Sequence, residues 1–321
     1  MIPNDSPILV FGAGSIGERH LGILQKLGYP NLWVYRQRNL PLRSVDATSL
    51  RIVTDLAELD KIPFVAAIVC TPTAQHLSQA LWCVQRQIPV LIEKPLSHTL
   101  ESLEELREAL VIRPVLIQVA YMLRYHPFFQ KVKALIEKEE LGNLLSMQTY
   151  WGEYLPDWHP WEDYRQSYAA RQELGGGVAL TLSHDLDLVN WLAGNPITNW
   201  NTLKNHRSSL EIDVESGADV SLAYENGITA HCHLNFHERL PRRWYRFAFE
   251  QGSVEIDYLK ATYSLVQPGQ EAVRHTLDNF DRNQLFEDQT RDFFQKVNKG
   301  SFATTSLRTL EESQVLLRIC T

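Results

Sequence analysis

Three glycines, Gly12, Gly14 and Gly17, follow the apolar run at residues 8–11 with Gly-x-Gly-x-x-Gly spacing. An apolar strand precedes them, a helix opens at Ser15 and Ile16, and a second strand ends near Arg36, which together is the arrangement that grips a dinucleotide. Gly12 would allow the tight turn, Gly14 would let a pyrophosphate reach the backbone, and Gly17 would let helix and strand pack closely. The first amides of the helix and its positive dipole end then face the phosphates. Arg36 and Arg38 stand where an acidic side chain would take the ribose hydroxyls of NAD(H). They suit a 2′-phosphate, which favours NADP(H), with NAD(H) as the alternative.

The second chemically loaded stretch is Leu-Ile-Glu-Lys-Pro, residues 91–95. It puts Glu93 and Lys94 at the carboxyl end of a buried strand, the edge where open parallel sheets take ligands. Hydride transfer at a carbinol carbon develops charge on the oxygen, and an ammonium beside that oxygen stabilises it. In the oxidation direction the same group must accept the hydroxyl proton, so burial or nearby positive charge must bring a lysine down from about 10.4. The competing role for Lys94 is a salt bridge with a nearby acid.

These residues need a scaffold, and the chain supplies one. The runs ILVFG, NLWVYR, FVAAIVCT, PVLIEK and VLIQVAY alternate with segments of helical spacing up to about residue 121, which predicts a parallel sheet with helices on both faces. Beyond residue 124 come a helix over HPFFQKVKALIEKEE, a loop rich in Trp, Tyr and Pro, and a short helix from about residue 183. After residue 198 apolar and polar residues alternate: Ala230, Cys232, Leu234 and Phe236 fall on one face, His231, His233 and His237 on the other. That is antiparallel sheet. The expectation is an α/β protein of two domains: a Rossmann doubly wound domain, 1–123, and an α/β domain, 124–321, for substrate binding and oligomerisation.

Composition narrows the partners. A formal net charge of -7 disfavours nucleic acid. The basic cluster Arg239, Arg242, Arg243 and Arg246 reads as a solvated hairpin in preference to an anion site. No apolar run approaches the roughly 20 residues that span a bilayer, the N-terminus lacks a signal-peptide pattern, and the expected location is the cytoplasm. Cys70, Cys83, Cys232 and Cys320 are scattered singly, so free thiols and no structural metal are expected. The histidine row 231, 233, 237 reads as a polar sheet face, at a subunit contact, in preference to a metal site.

GAGSIGERH at the start, CTPTAQH near residue 70 and EKP at 93–95 occur in an order that resembles the glucose-fructose oxidoreductase, inositol dehydrogenase and rhizopine-catabolism family of NAD(P)-dependent oxidoreductases. The resemblance covers almost the whole chain. It implies a Rossmann domain followed by an α/β domain whose large, mostly antiparallel open sheet often joins subunits, here as a homodimer or homotetramer. It implies sugar-like substrates, places Thr71, Pro72, His76, Glu93 and Lys94 around the cofactor, and gives Lys94 the catalytic position beside the reacting oxygen.

The segment from Tyr154 to Gly194 resembles the active-site loop, glycine triplet and site helix of that family, but departs from its commonest spacing. Thr181 occupies the usual Asp position, and His184 with Asp187 matches a subgroup with a His-acid-x-Asp run. Three apart, the two share a helix face, His184 to relay or donate a proton and Asp187 to orient it or bind a hydroxyl. Tyr121, Arg124 and His126 lie where family members contact substrate, and Trp158, His159, Tyr164 and Arg165 would form an aromatic and polar lid over a sugar ring, or a packed loop. Two alternatives stand beside the dehydrogenase: an NAD-dependent glycoside hydrolase of the same fold, and a non-catalytic sugar or dinucleotide sensor. The chain stops at LLRICT, so its last helix reads as clipped compared with relatives.

Overall fold

The computed structural model describes residues 3–37, 41–101, 103–300 and 302–321. Two compact units emerge, Met1–Ala120 with Asn283–Leu317 and Tyr121–Arg282 with Arg318–Thr321.

In the first unit, β1 (Ile8–Phe11), β2 (Leu32–Tyr35), β3 (Leu50–Val53), β4 (Ala66–Val69), β5 (Val90–Ile92) and β6 (Ile117–Val119) form one parallel sheet in the order β3-β2-β1-β4-β5-β6. All residues of β1, β4 and β5 are buried, because the helices α1 (Ser15–Lys26), α2 (His76–Gln85) and α3 (Leu103–Ile112) leave no wet face at the sheet centre. The order reverses between β1 and β4, the switch point beyond whose carboxyl ends ligands settle in such folds. β3 is absent from the sequence expectation. It is an edge strand with only Val53 buried, so its apolar pattern is too weak to read.

The second unit carries α4 (Pro127–Glu137), β7 (Leu144–Tyr154), α5 (Val178–Thr181), α6 (His184–Ala193), β8 (Ile197–Asn205), β9 (Gly217–Tyr224), β10 (Thr229–Asn235), β11 (His237–Phe249), β12 (Gly252–Asp257), β13 (Thr262–Val266) and β14 (Val273–Thr276). Eight strands form one sheet, β14-β13-β12-β11-β7-β10-β9-β8, antiparallel except where β10 runs beside β7. The alternation read in β10 holds: Ala230, Cys232 and Leu234 are buried, and α6 packs on β7 and β10.

Residues 283–317, which hold α7 (Asn283–Lys299) and most of α8 (Ala303–Cys320), belong to the first unit. Phe293 and Phe294 enter the core made by Ile8, Leu21, Leu24, Leu32 and Val34, at about 2 kcal/mol for each buried ring. Ser306 Oγ accepts from Ile117 N at 2.9 Å and donates to Val115 O at 2.8 Å, tying α8 to the β6 edge. Lys26 of α1 pairs with Glu287 of α7.

Candidate functional site

The glycine loop has the shape a phosphate cradle needs. Gly12 takes φ +86°, and a Cβ there would stand 2.9 Å from the Cys70 carbonyl oxygen. At Gly17 a Cβ would meet the Gly12 carbonyl oxygen at 2.3 Å, so helix and strand touch with no room for a side chain. Gly14, the N-cap of α1, has nothing within 4 Å of its would-be Cβ. The open space lies over the helix N-terminus beside exposed Ser15, while half-buried Ile16 packs on the core. Such a cradle fits a pyrophosphate. Arg36 follows β2, half-buried, its backbone N–H bonded to Val53 O at 3.1 Å; Arg38 lies outside the described residues.

Two neighbouring strands deliver the other first-unit residues to the same sheet edge. After β4 come Thr71 and Pro72, both half-buried, with Thr71 Oγ1 donating to Gln79 Oε1 at 2.7 Å. After β5 come buried Glu93 and half-buried Lys94, followed by a cis Lys94–Pro95 peptide. Buried His76, from the first turn of α2, sets Nδ1 2.8 Å from Pro95 O and Nε2 2.8 Å from Thr71 O, so it bridges the two loops. Burial lowers the His76 pKa, more than its two carbonyl contacts raise it. Burial also acts to raise that of Glu93, but the His20 hydrogen bond and the charges of His20, Lys94 and His76 outweigh it and hold the carboxyl below the usual range.

In the second unit the structure brings together four of the expected residues. His184 is the first residue of α6, buried, with the Tyr121 ring edge-on at 5.8 Å. Asp187, one turn on and 2% exposed, receives Arg124 Nε at 2.9 Å on Oδ2 and Nη2 at 2.6 Å on Oδ1. The Arg124 guanidinium lies 5.9 Å from the Tyr121 ring centre. Burial, and then the Asp187 charge, raise the Tyr121 pKa well above its usual value, which keeps the phenol protonated.

The remaining expected residues have partners of their own. His126 is 1% exposed, caps α4 by accepting from Phe128 N, and is ringed by Phe128, Phe129, Tyr258 and Phe280. Trp158 packs edge-on to Phe236, His159 lies against Trp161, Tyr164 OH accepts from Glu211 N, and exposed Arg165 pairs with Asp163 and Glu211. His233 pairs with Asp219 at 2.6 Å and stacks on Tyr150, and His231 bonds Ser221 at 3.0 Å. Among the described residues no three His, Cys, Asp or Glu side chains gather as metal ligands.

Sequence reasoning missed two partners of this machinery. Arg243, taken as part of a solvated basic cluster, is 3% exposed. Its Nη2 donates to Asp185 at 2.6 Å, Tyr245 OH donates to the same carboxylate oxygen at 2.8 Å, and its guanidinium lies 3.4 Å from the Trp151 ring centre. The pair anchors the start of α6 to β11, directly beside His184. Arg239, Arg242 and Arg246 are exposed, as expected. The other is His20 on α1, wholly buried, whose Nε2 donates to Glu93 Oε1 at 2.9 Å.

Residues 7–121 match the model of an oxidoreductase family with an NAD-binding Rossmann fold, and residues 129–255 match the GFO/IDH/MocA C-terminal domain. The Bacillus subtilis oxidoreductase YrbE is 25% identical over 232 residues, 69% of this chain and 64% of that protein. Inositol 2-dehydrogenase of Mycolicibacterium gilvum is 32% identical over 156 residues, 44% of this chain and 43% of that protein. The matched regions therefore span less than two thirds of these relatives' own length. A levoglucosan dehydrogenase solved with NADH and levoglucosan is alike in fold, with a TM-score of 0.83 and 14% identity, covering 98% of this chain and 95% of that one.

Proposed function

Since this chain belongs to the glucose-fructose oxidoreductase, inositol dehydrogenase and rhizopine-catabolism family of NAD-binding oxidoreductases, we propose that it transfers hydride between a nicotinamide dinucleotide and a secondary alcohol or ketone of a sugar, cyclitol or sugar derivative. The observation that carries this reading is the shared edge of one sheet. The glycine loop after β1, Thr71 and Pro72 after β4 and Lys94 after β5 leave three adjacent strands at their carboxyl ends. The substrate class draws support from relatives named inositol 2-dehydrogenase and levoglucosan dehydrogenase.

When bound, the nicotinamide supplies or takes up the hydride. The protein's own residues do the rest. The amides at the start of α1 hold phosphate, with Gly14 leaving room for it. The Lys94 ammonium donates to the substrate oxygen as charge develops there and exchanges its proton with it. In the second unit His184 moves a proton, and Asp187 binds a hydroxyl while its charge is met by Arg124. Arg36 takes a 2′-phosphate, which selects NADP(H) over NAD(H).

The sheet face carrying Leu203, Asp219, His233, Tyr150 and Trp244, a row in register across β8, β9, β10, β7 and β11, joins copies of the chain. The four buried, unpaired cysteines suit a reducing compartment, the cytoplasm; no helix among the described residues is long and apolar enough to cross a membrane.

The test is calorimetry with NADPH and NADH, followed by a carbohydrate panel read by nicotinamide absorbance and product analysis. Net oxidation or reduction of a panel member supports the proposal. Absence of dinucleotide binding, or glycoside cleavage without net cofactor change, contradicts it.

A further inference from the structure

We infer that His20 is a positioning residue for Lys94, acting through Glu93; the inference rests on the reading of Lys94 given above. His20 lies one turn beyond Gly17 on α1 and is 0% exposed. A buried imidazole is costly unless its polar atoms find partners. Its Nε2 donates to Glu93 Oε1 at 2.9 Å, whereas Nδ1 has no hydrogen-bond partner among the described residues and the ring stands edge-on to Phe286 at 5.9 Å. Glu93 is therefore the side chain that His20 serves.

The carboxylate passes that constraint on. Its other oxygen, Oε2, accepts from the backbone N–H of Lys94 at 3.3 Å. On the far side of Lys94, the Pro95 carbonyl oxygen lies 2.8 Å from His76 Nδ1, and His76 Nε2 lies 2.8 Å from Thr71 O. The backbone of Lys94 is thus held from both flanks by buried histidines, His20 from α1 and His76 from α2. His20 also belongs to the helix that opens at the glycine loop, so one rigid element carries both the phosphate cradle and the brace of Lys94.

Stability alone does not call for this arrangement. Between a helix and a parallel sheet, well-packed apolar residues do as well as or better than a buried polar pair. What the pair adds is orientation, and a misplacement of about 1 Å at a reacting group costs on the order of a hundredfold in rate.

The test compares His20→Leu, which has no donor, with His20→Gln, whose amide N–H can still reach a carboxylate. Each is read by turnover, by dinucleotide calorimetry, and by NMR of protein reductively methylated with 13C, the Lys94 signal being identified by its loss in Lys94→Arg. In His20→Leu we expect kcat to fall about tenfold or more while KM and the dinucleotide Kd stay within about threefold, and the Lys94 methyl signal to narrow toward that of exposed lysines. His20→Gln should restore most of both. Equal behaviour of the two variants, or an unmoved Lys94 signal, overturns the inference. Should His20→Leu not fold, the wild type and Glu93→Leu, which has no acceptor, decide: His20 must show a slowly exchanging Nε2 proton that Glu93→Leu releases together with the Lys94 signal, and its absence in the wild type is the contrary result. Unchanged turnover in Lys94→Ala would refute the functional reading alone, because the NMR contrast concerns only the brace.

Discussion

Arg124 and Asp187 form a two-pronged ion pair across 63 positions of sequence, Nε to Oδ2 at 2.9 Å and Nη2 to Oδ1 at 2.6 Å. The carboxylate is 2% exposed and the guanidinium 30%. Removing the cation would leave a charge buried beside Tyr121 and His184. Arg124→Leu should cost about 2–3 kcal/mol by urea unfolding, below the 3–5 typical of fully buried pairs because the guanidinium is partly solvated. The double replacement with Asp187→Leu should cost less than Arg124→Leu alone. A double variant no better than the single would show that the pair contributes chiefly by packing.

The glycines make a prediction with opposite signs at neighbouring positions. Gly17→Ala must push a Cβ into the Gly12 carbonyl oxygen, 2.3 Å away, and should destabilise the fold by about 2 kcal/mol or more. Gly14→Ala meets no atom within 4 Å and should melt like the parent, yet weaken dinucleotide binding about tenfold if phosphate occupies that space. Thermal melts and calorimetry read the two effects. Unchanged affinity in Gly14→Ala would remove the phosphate from the loop.

His126 makes stability depend on pH. Burial, and then the Arg243 charge, push it from 6.5 down to about 4. Between those values the unfolded chain binds a proton that the folded chain does not, so stability is full above pH 6.5 and falls as pH drops toward 4. The difference is worth about 3 kcal/mol. His126→Asn keeps a side-chain acceptor for the helix cap and removes the titration, so its unfolding free energy should vary less over this window. Parallel profiles for the two proteins would contradict the assignment.

Local chemistry explains what the sequence revealed. The glycine loop, the buried strands β1, β4 and β5 and the alternation in β10 are each encoded within a dozen neighbouring residues. Arg243 was misread because its neighbours Arg242 and Trp244 are exposed; only the two-residue period of β11, facing Asp185 and Trp151 from distant segments, buries it. The aromatic surroundings of His126 come from as far along the chain as Phe280, which its place beside Arg124 does not reveal. The return of α7 and most of α8 to the first unit depends on Phe293 and Phe294 meeting a core that includes residues some 260–285 positions earlier, for which amphipathic spacing carries no address.

Arg36 tests cofactor choice. If its guanidinium meets a 2′-phosphate, Arg36→Ala should weaken NADPH binding about tenfold and leave NADH within about twofold. Equal losses for both, or none for either, would place the ribose elsewhere.

The most direct test of the central claim is turnover of Lys94→Ala on a carbohydrate that the parent oxidises or reduces, with dinucleotide affinity measured on the same preparation. Loss of a proton-exchanging group predicts a fall of about 10²–10⁴-fold in kcat at nearly unchanged dinucleotide Kd. Turnover equal to the parent's would show that the amine at position 94 takes no part in the chemistry.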